Sequence, residues 1–215
     1  MSRFDNRERL LAACLAALAG YVDALGFLHL GGFFLSFMSG NSTRLGVGLA
    51  QGGATAVTAG LLIATFVTGV VLGSLTGRVA GNARRRAVLA LVAILLVMAG
   101  ALDAAGVVRA AIAAMGLAMG AENAVFEEDG ETRIGLTYMT GALVKIGQRL
   151  AQALVGGPRW DWSPYALLWA GLVLGALAGA CIYPHLGLGG LWVAAGVAAG
   201  LAMVTKPVPN PPGPQ

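Results

Sequence analysis

Hydrophobic residues occur along this chain in long runs, and the polar residues between them gather in short stretches. Six runs are long enough, or nearly so, to cross a hydrocarbon core of about 30 Å, which takes roughly 20 residues of helix. They are 10–28, 55–76, 87–102, 107–126, 164–183 and 188–204. Two more stretches, 31–51 and 134–154, are apolar but broken in the middle by Ser39-Gly40 and Thr140-Gly141. The pattern predicts an all-α polytopic membrane protein with six transmembrane helices. A re-entrant or broken helix follows the first span of each half.

The halves resemble each other. Ser36-Phe37-Met38-Ser39-Gly40 recurs as Thr137-Tyr138-Met139-Thr140-Gly141, Arg44-Leu45-Gly46 as Lys145-Ile146-Gly147, and Leu49-Ala50-Gln51 as Leu150-Ala151-Gln152. Val71 to Gly77 then aligns with Val173 to Gly179, which sets Gly69, Gly73 and Gly77 against Gly171, Gly175 and Gly179. Internal duplication of this kind decides architecture before any local feature does.

Charge orients the spans. With both broken segments re-entrant and the N-terminus inside, Arg3, Arg7, Arg9, Arg78, Arg84, Arg85, Arg86, Arg133, Lys145, Arg149, Arg159 and Lys206 are cytoplasmic, and only Arg44 and Arg109 are outside. If both segments crossed fully, the arginine cluster 78–86 would be exported and the bias would nearly vanish. The positive-inside rule therefore favours six spans with both termini cytoplasmic. Three spans per copy is an odd number, so the second copy enters from the opposite face and the pattern becomes a 3+3 inverted repeat. The expected units are 1–105 (re-entrant segment 31–51), 106–205 (re-entrant segment 134–154) and a disordered proline-rich tail at 206–215.

Composition supports a membrane protein: 57% of residues are hydrophobic and 11% charged, the mean hydropathy is +0.77, and soluble domains carry about 25% charge. The net charge of +4 orients spans and is no nucleic-acid footprint. The basic, Ala/Leu-rich start could pass for a signal peptide. Asp5 and Glu8 among its arginines, and its match to the segment before Glu122, make it the first helix instead.

Candidate chemistry sits at the breaks. Ser39, Gly40, Asn41, Ser42 and Thr43 are residues that cap and bend helices, so a short helix is expected to start at Ser39 or Asn41. Its free N–H groups and positive dipole end would then lie at membrane depth. The second break repeats this from the other face, and the two starts should meet near the midplane. Arg44 and Lys145, one turn into each helix, would add positive potential suited to a small anion; alternatively, both snorkel to the interfaces. Asp23 lies on the order of 20 Å into the first helix at 1.5 Å per residue, with Glu122 and Asn123 at matching depth in the fourth. Intramembrane acids default to a functional reading, as proton or cation carriers. The competing structural reading pairs Asp23 with Arg44 and Glu122 with Lys145 as internal staples.

Other features have plainer readings. The glycine faces are packing surfaces, within the chain or in a homo-oligomer. His29 and His185 belong at interfaces, Cys14 and Cys181 act as small apolar residues, and 127–131 is a solvated acidic turn. No nucleophile and base, metal set or phosphate loop can be assembled, so no enzyme, cofactor or metal is expected.

Gly20-Tyr21-Val22-Asp23-Ala24-Leu25-Gly26-Phe27, followed by Phe37-Met38-Ser39-Gly40-Asn41-Ser42-Thr43, resembles the signature of the YoaK-like family of uncharacterised bacterial inner-membrane proteins. The likeness extends to Pro207. It implies a small polytopic protein of the bacterial cytoplasmic membrane and assigns no catalytic residues. The second motif departs from the first in having Ala142 where the first has Asn41.

Two functions remain in view. One is a transporter or channel for a small polar, anionic solute. Its site would comprise Ser39, Gly40, Asn41, Arg44, Thr140, Gly141 and Lys145, with Asp23, Glu122 and Asn123 as coupling or charge partners. The other is a non-transporting scaffold or accessory subunit held by internal salt bridges. In both, the lipid bilayer is the surrounding partner and nucleic acid is not.

Overall fold

The computed structural model describes residues 6–128, 131–132, 135 and 137–205, and these are almost entirely helical. The helices are α1 (Asn6–His29), α2 (Met38–Gln51), α3 (Ala54–Ala80), α4 (Arg84–Ala104), α5 (Val108–Glu122), α6 (Met139–Leu154), α7 (Ser163–Leu186) and α8 (Leu191–Val204). Short 3-10 turns join α3 to α4 and α7 to α8 and extend α5 to Phe126. A two-residue ladder, Glu127–Glu128 against Glu131–Thr132, closes the turn that follows. The expected tail at 206–215 lies outside the described residues.

Three stretches are long and apolar enough to cross a membrane: Asn6–His29, Ala54–Ala104 and Ser163–Val204. The second has 51 residues and would measure about 77 Å if straight, more than twice a hydrocarbon core. It folds back at Gly81, whose φ of 52° is a left-handed value that suits glycine, and α4 then packs against α3. The two ends of the bundle are marked by polar contacts. At one end Arg85 of α4 meets Glu8 of α1 at 2.6 Å, and Arg84 meets Glu127 at 2.9 Å. At the other, the Tyr183 hydroxyl of α7 lies 3.2 Å from His29 Nδ1 of α1, and Tyr21 Oη donates to the Gly190 carbonyl at 2.9 Å.

Two crossed pairs form the frame, α1 with α7 and α3 with α5, and α4 joins them through α5 and α8. Glycines set the distance within each pair. A methyl group at Gly175 would overlap the Ala17 carbonyl and one at Gly179 the Tyr21 carbonyl; in the other pair, Gly69 and Gly73 meet Leu117 and Ala121 in the same way. Gly20 lies against Leu172 and Ala176, and Gly120 against Phe66 and Val70. Positions 17, 20 and 21 of α1 thus make the contacts that 117, 120 and 121 make in α5. The contacts match Gly69 with Gly175 and Gly73 with Gly179, one turn away from the sequence alignment. A glycine every fourth residue aligns with itself after sliding one turn, so sequence leaves this register open and backbone contact fixes it.

Leu15, Leu89, Leu96, Met115, Met119 and Leu191 are fully buried between these helices. Outward faces keep Val57, Leu61, Val71, Leu75, Leu174 and Val193 exposed. In water such a surface would drive association; in hydrocarbon it is the appropriate covering, and a bilayer is the environment it fits.

Gly175→Leu is expected to push α1 from α7 and to cost at least the ~1–3 kcal/mol of core overpacking, because backbone cannot yield as a side chain can. Gly196→Ala, at a position with open space around its α-carbon, should leave stability unchanged. Thermal unfolding in detergent, followed by loss of the monodisperse peak, separates the two.

Candidate functional site

After α1 ends at His29 the chain reverses through Gly31 and Gly32, with φ of 67° and 107°, and runs back alongside the helix it has left. Backbone entering a membrane bundle without helix hydrogen bonds must find partners inside the protein. Asp23 supplies them. Its Oδ1 accepts the Leu35 and Ser36 N–H groups at 2.5 and 2.9 Å, and its Oδ2 accepts the Ser36 hydroxyl at 2.9 Å. Asp23 is six residues before the end of α1, so this contact lies about 9 Å below the helix end. Asn41 completes the loop: its Oδ1 accepts the Phe34 N–H at 3.1 Å and its Nδ2 donates to the Phe34 carbonyl at 2.6 Å.

The short helix α2 begins at Met38, with Phe37 in the cap position and no side-chain cap. This corrects the expectation of a start at Ser39 or Asn41. Asn41 serves as a loop clamp within the first turn. Because an Asn side chain offers both a donor and an acceptor, it can close on both polar groups of one residue, which capping statistics do not anticipate.

The second break repeats the arrangement with weaker chemistry. Thr137 Oγ1 donates to Asn123 Oδ1 at 3.4 Å, as Ser36 does to Asp23, and Asn123 Nδ2 donates to the Met119 carbonyl at 3.0 Å. The helix α6 begins at Met139, with Tyr138 in the cap position, as α2 begins at Met38. Ala142 stands where Asn41 would and is buried. Residues 134 and 136 of the expected segment lie outside the described residues.

Both breaks line one cavity of about 420 Å³, formed by residues 36–39, residues 137–141 and Phe66 of α3. Its polar lining residues are Ser36, Ser39, Thr137 and Thr140, in or beside the first turns of α2 and α6; at α2 the Met38 and Gly40 N–H groups bond the Ser36 and Phe37 carbonyls. Methionine and aromatic side chains supply the remainder. Of the sequence candidates, Ser39, Thr140 and Gly141 line this cavity. Gly40 packs beneath the Phe34 and Phe37 rings, and Asn41 is sealed behind the loop with no exposure. Ser36, Phe37, Met38 and their counterparts belonged to the repeated block but lacked an obvious charge, so the candidate set passed over them. Phe66 gave no signal at all.

The charged candidates go elsewhere. Arg44 sits with its guanidinium 4.9 Å from the centre of the Phe33 ring, a cation–π contact, and Lys145 is exposed on α6. Neither lines the cavity. Among the described residues neither expected pair, Asp23 with Arg44 or Glu122 with Lys145, is present. The reason is competition: the Asp23 carboxylate is taken by the N–H groups of the returning loop. Glu122 is fully buried, and among the described residues neither of its carboxylate oxygens has a hydrogen-bond partner.

Asn41→Ala should strand the Phe34 N–H and carbonyl and lower stability by about 1–3 kcal/mol for the unsatisfied groups; Ser42→Ala, on the exposed side, should not. A double-mutant cycle of Asp23→Asn with Ser36→Ala is expected to show coupling, whereas Asp23→Asn with Arg44→Gln is expected to be additive within the roughly 0.3–0.5 kcal/mol typical of independent sites.

The family described as "Protein of unknown function (DUF1275)" matches residues 11–204. The UPF0700 transmembrane protein RA0705 of Rhizobium meliloti (strain 1021) is 35% identical over 183 residues, covering 85% of this chain and 79% of that protein. No solved structure matches. Together with its apolar helix surface, these matches place the chain, as a multi-pass membrane protein, in the DUF1275 family.

Proposed function

We propose that the chain is a transporter or channel that passes a small polar solute through the cavity between its two broken segments. The observation that carries this reading is that both copies of the duplicated break line one cavity. In this reading α1, α3, α4, α5, α7 and α8 are the six crossings, α2 and α6 are re-entrant, and the halves are an inverted repeat. The matched glycine contacts of α1 with α7 and α5 with α3 support that symmetry. So does the polar contact of the α1 and α4 starts at one end of the bundle. The positive-inside rule puts that end in the cytoplasm of a bacterium, with both termini inside the inner membrane.

Preference for an anionic or hydrogen-bond-accepting solute rests on the first turns of α2 and α6, which both line the cavity; it is weaker at α2, where the Asp23 carboxylate already takes the N–H groups that precede the helix. Arg44 and Lys145 contribute at most at a distance. A scaffold gives no reason for two hydroxyl-bearing segments to hold a space between them where apolar contact would be more stable. Among the described residues the two pairs expected of a scaffold, Asp23 with Arg44 and Glu122 with Lys145, are absent, although Arg85 with Glu8 and Arg84 with Glu127 do join elements of the bundle.

Thiol labelling tests the reading in liposomes with Cys14 and Cys181 replaced by alanine. Ser39→Cys and Thr140→Cys are expected to react with water-soluble thiosulfonates, and Val71→Cys, on the lipid-facing side of α3, is not. An anionic reagent should outpace a cationic one by on the order of tenfold, the ratio given by about 1.4 kcal/mol of differential binding. If both cavity cysteines remain unlabelled, no aqueous path reaches the breaks and the proposal fails.

A further inference from the structure

Glu122 has no place in the packing scheme that the rest of the bundle follows. It ends α5, where the α-helix tightens into the 3-10 turn Asn123–Phe126. Its side chain has no exposure, and among the described residues both of its oxygens lack a hydrogen-bond partner. The matching position in the first half is Val22, also fully buried. Val22 lies inside the unbroken helix α1, so the first half fills this position with an apolar residue and has no such junction there. In the first half the acid sits one residue later, as Asp23, where three hydrogen bonds use it fully.

Among the described residues, none of the charged and titratable groups on α1, α3 and α4, the helices packed against α5, bonds either Glu122 oxygen, and several of them have other partners. On α4, Arg84 pairs with Glu127, which follows the 3-10 turn, and Arg85 pairs with Glu8 of α1. Asp23 of α1 holds the returning loop, and Tyr21 donates to Gly190. Arg78 of α3 makes no hydrogen bond to Glu122, since neither carboxylate oxygen has a partner. A bare carboxylate at such a place is too costly for a marginally stable bundle, and an acid so placed takes up a proton.

We propose that Glu122 is a proton-binding site whose occupancy is tied to the second break; this deepens the solute-path reading and rests on it. The next residue, Asn123, holds Thr137, and Thr137 lines the cavity. To ionise, Glu122 must meet water, and water arrives by loosening the junction between α5 and its 3-10 turn. The O–H bond of the carboxyl breaks there, and the proton passes to the entering water. Loosening the junction moves Asn123 and releases Thr137, so that α6 is freed at the cavity. On closure the carboxylate takes a proton back from water. Proton uptake therefore favours the closed arrangement, and proton loss the open one.

Infrared spectroscopy of the full chain in liposomes tests the site without reference to any solute. At neutral pH the wild type is expected to show the carbonyl stretch of a protonated carboxyl, and Glu122→Gln to remove it; Glu122→Met replaces that variant if it is not recovered folded. Labelling tests the tie to the break. Met139→Cys is placed at a buried position lining the cavity. Its thiosulfonate reactivity, taken relative to an exposed control cysteine, is expected to rise several-fold as the pH is raised and to become independent of pH with Glu122→Gln. A missing wild-type band, or a band that survives both substitutions, overturns the proton site. An unchanged pH dependence in Glu122→Gln overturns the coupling. Failure of the solute path has a different signature, with Ser39→Cys, Thr140→Cys and Met139→Cys all unlabelled at every pH while the infrared band stays intact.

Discussion

Backbone that leaves a helix inside a packed bundle must find hydrogen-bond partners there, and the whole arrangement of this protein depends on how that need is met. Asp23 meets it for Leu35 and Ser36, and Asn41 for Phe34. Without these bonds the chain could not turn back after Gly32, since each bare N–H or carbonyl in hydrocarbon costs several kcal/mol. The depth of the turn sets where α2 starts, and the start of α2 sets one wall of the cavity. A carboxylate that would otherwise look like a functional charge is here the anchor of the fold's main irregularity.

Close helix contact supplies the second constraint. Where glycines carry α1 against α7 and α3 against α5, backbone meets backbone, as packing between apolar helices in lipid requires when burial from water gives no drive. Each contact pairs the first helix of one half with the third helix of the other. The halves consequently do not stand as separate units, and the breaks they carry are brought to one place. The cavity follows from this exchange of partners, because a half packed only on itself would leave its break facing lipid.

Much of this was legible in the sequence. The runs gave the helices to within a few residues, and the repeated Met-Ser-Gly and Met-Thr-Gly segments marked the two stretches that meet. The chemistry at those stretches was harder to read. Charge draws the eye to Arg44 and Lys145, but a long basic side chain has many destinations, and Arg44 found the Phe33 ring. Asp23 was expected to seek a basic partner; backbone N–H groups, which every residue carries and no sequence pattern displays, were nearer. The helix register was ambiguous for a third reason, since a four-residue glycine period matches itself when shifted by one turn. In each case the missing information was three-dimensional proximity among groups that local pattern treats as equivalent.

The two breaks share a plan but not a strength of attachment. In the first, a carboxylate accepts three bonds and Asn41 closes the loop with two more. In the second, among the described residues, the neutral Asn123 receives one long bond from Thr137, and Ala142 offers nothing in place of Asn41. Bonds to a charged acceptor are stronger than neutral ones, so the difference is one of kind as well as number. Local opening starts where the fewest buried contacts must be given up. On that physical ground the described contact of Asn123 with Thr137 gives way before those of Asp23, and the fully buried Glu122 is the neighbour of Asn123 in the chain.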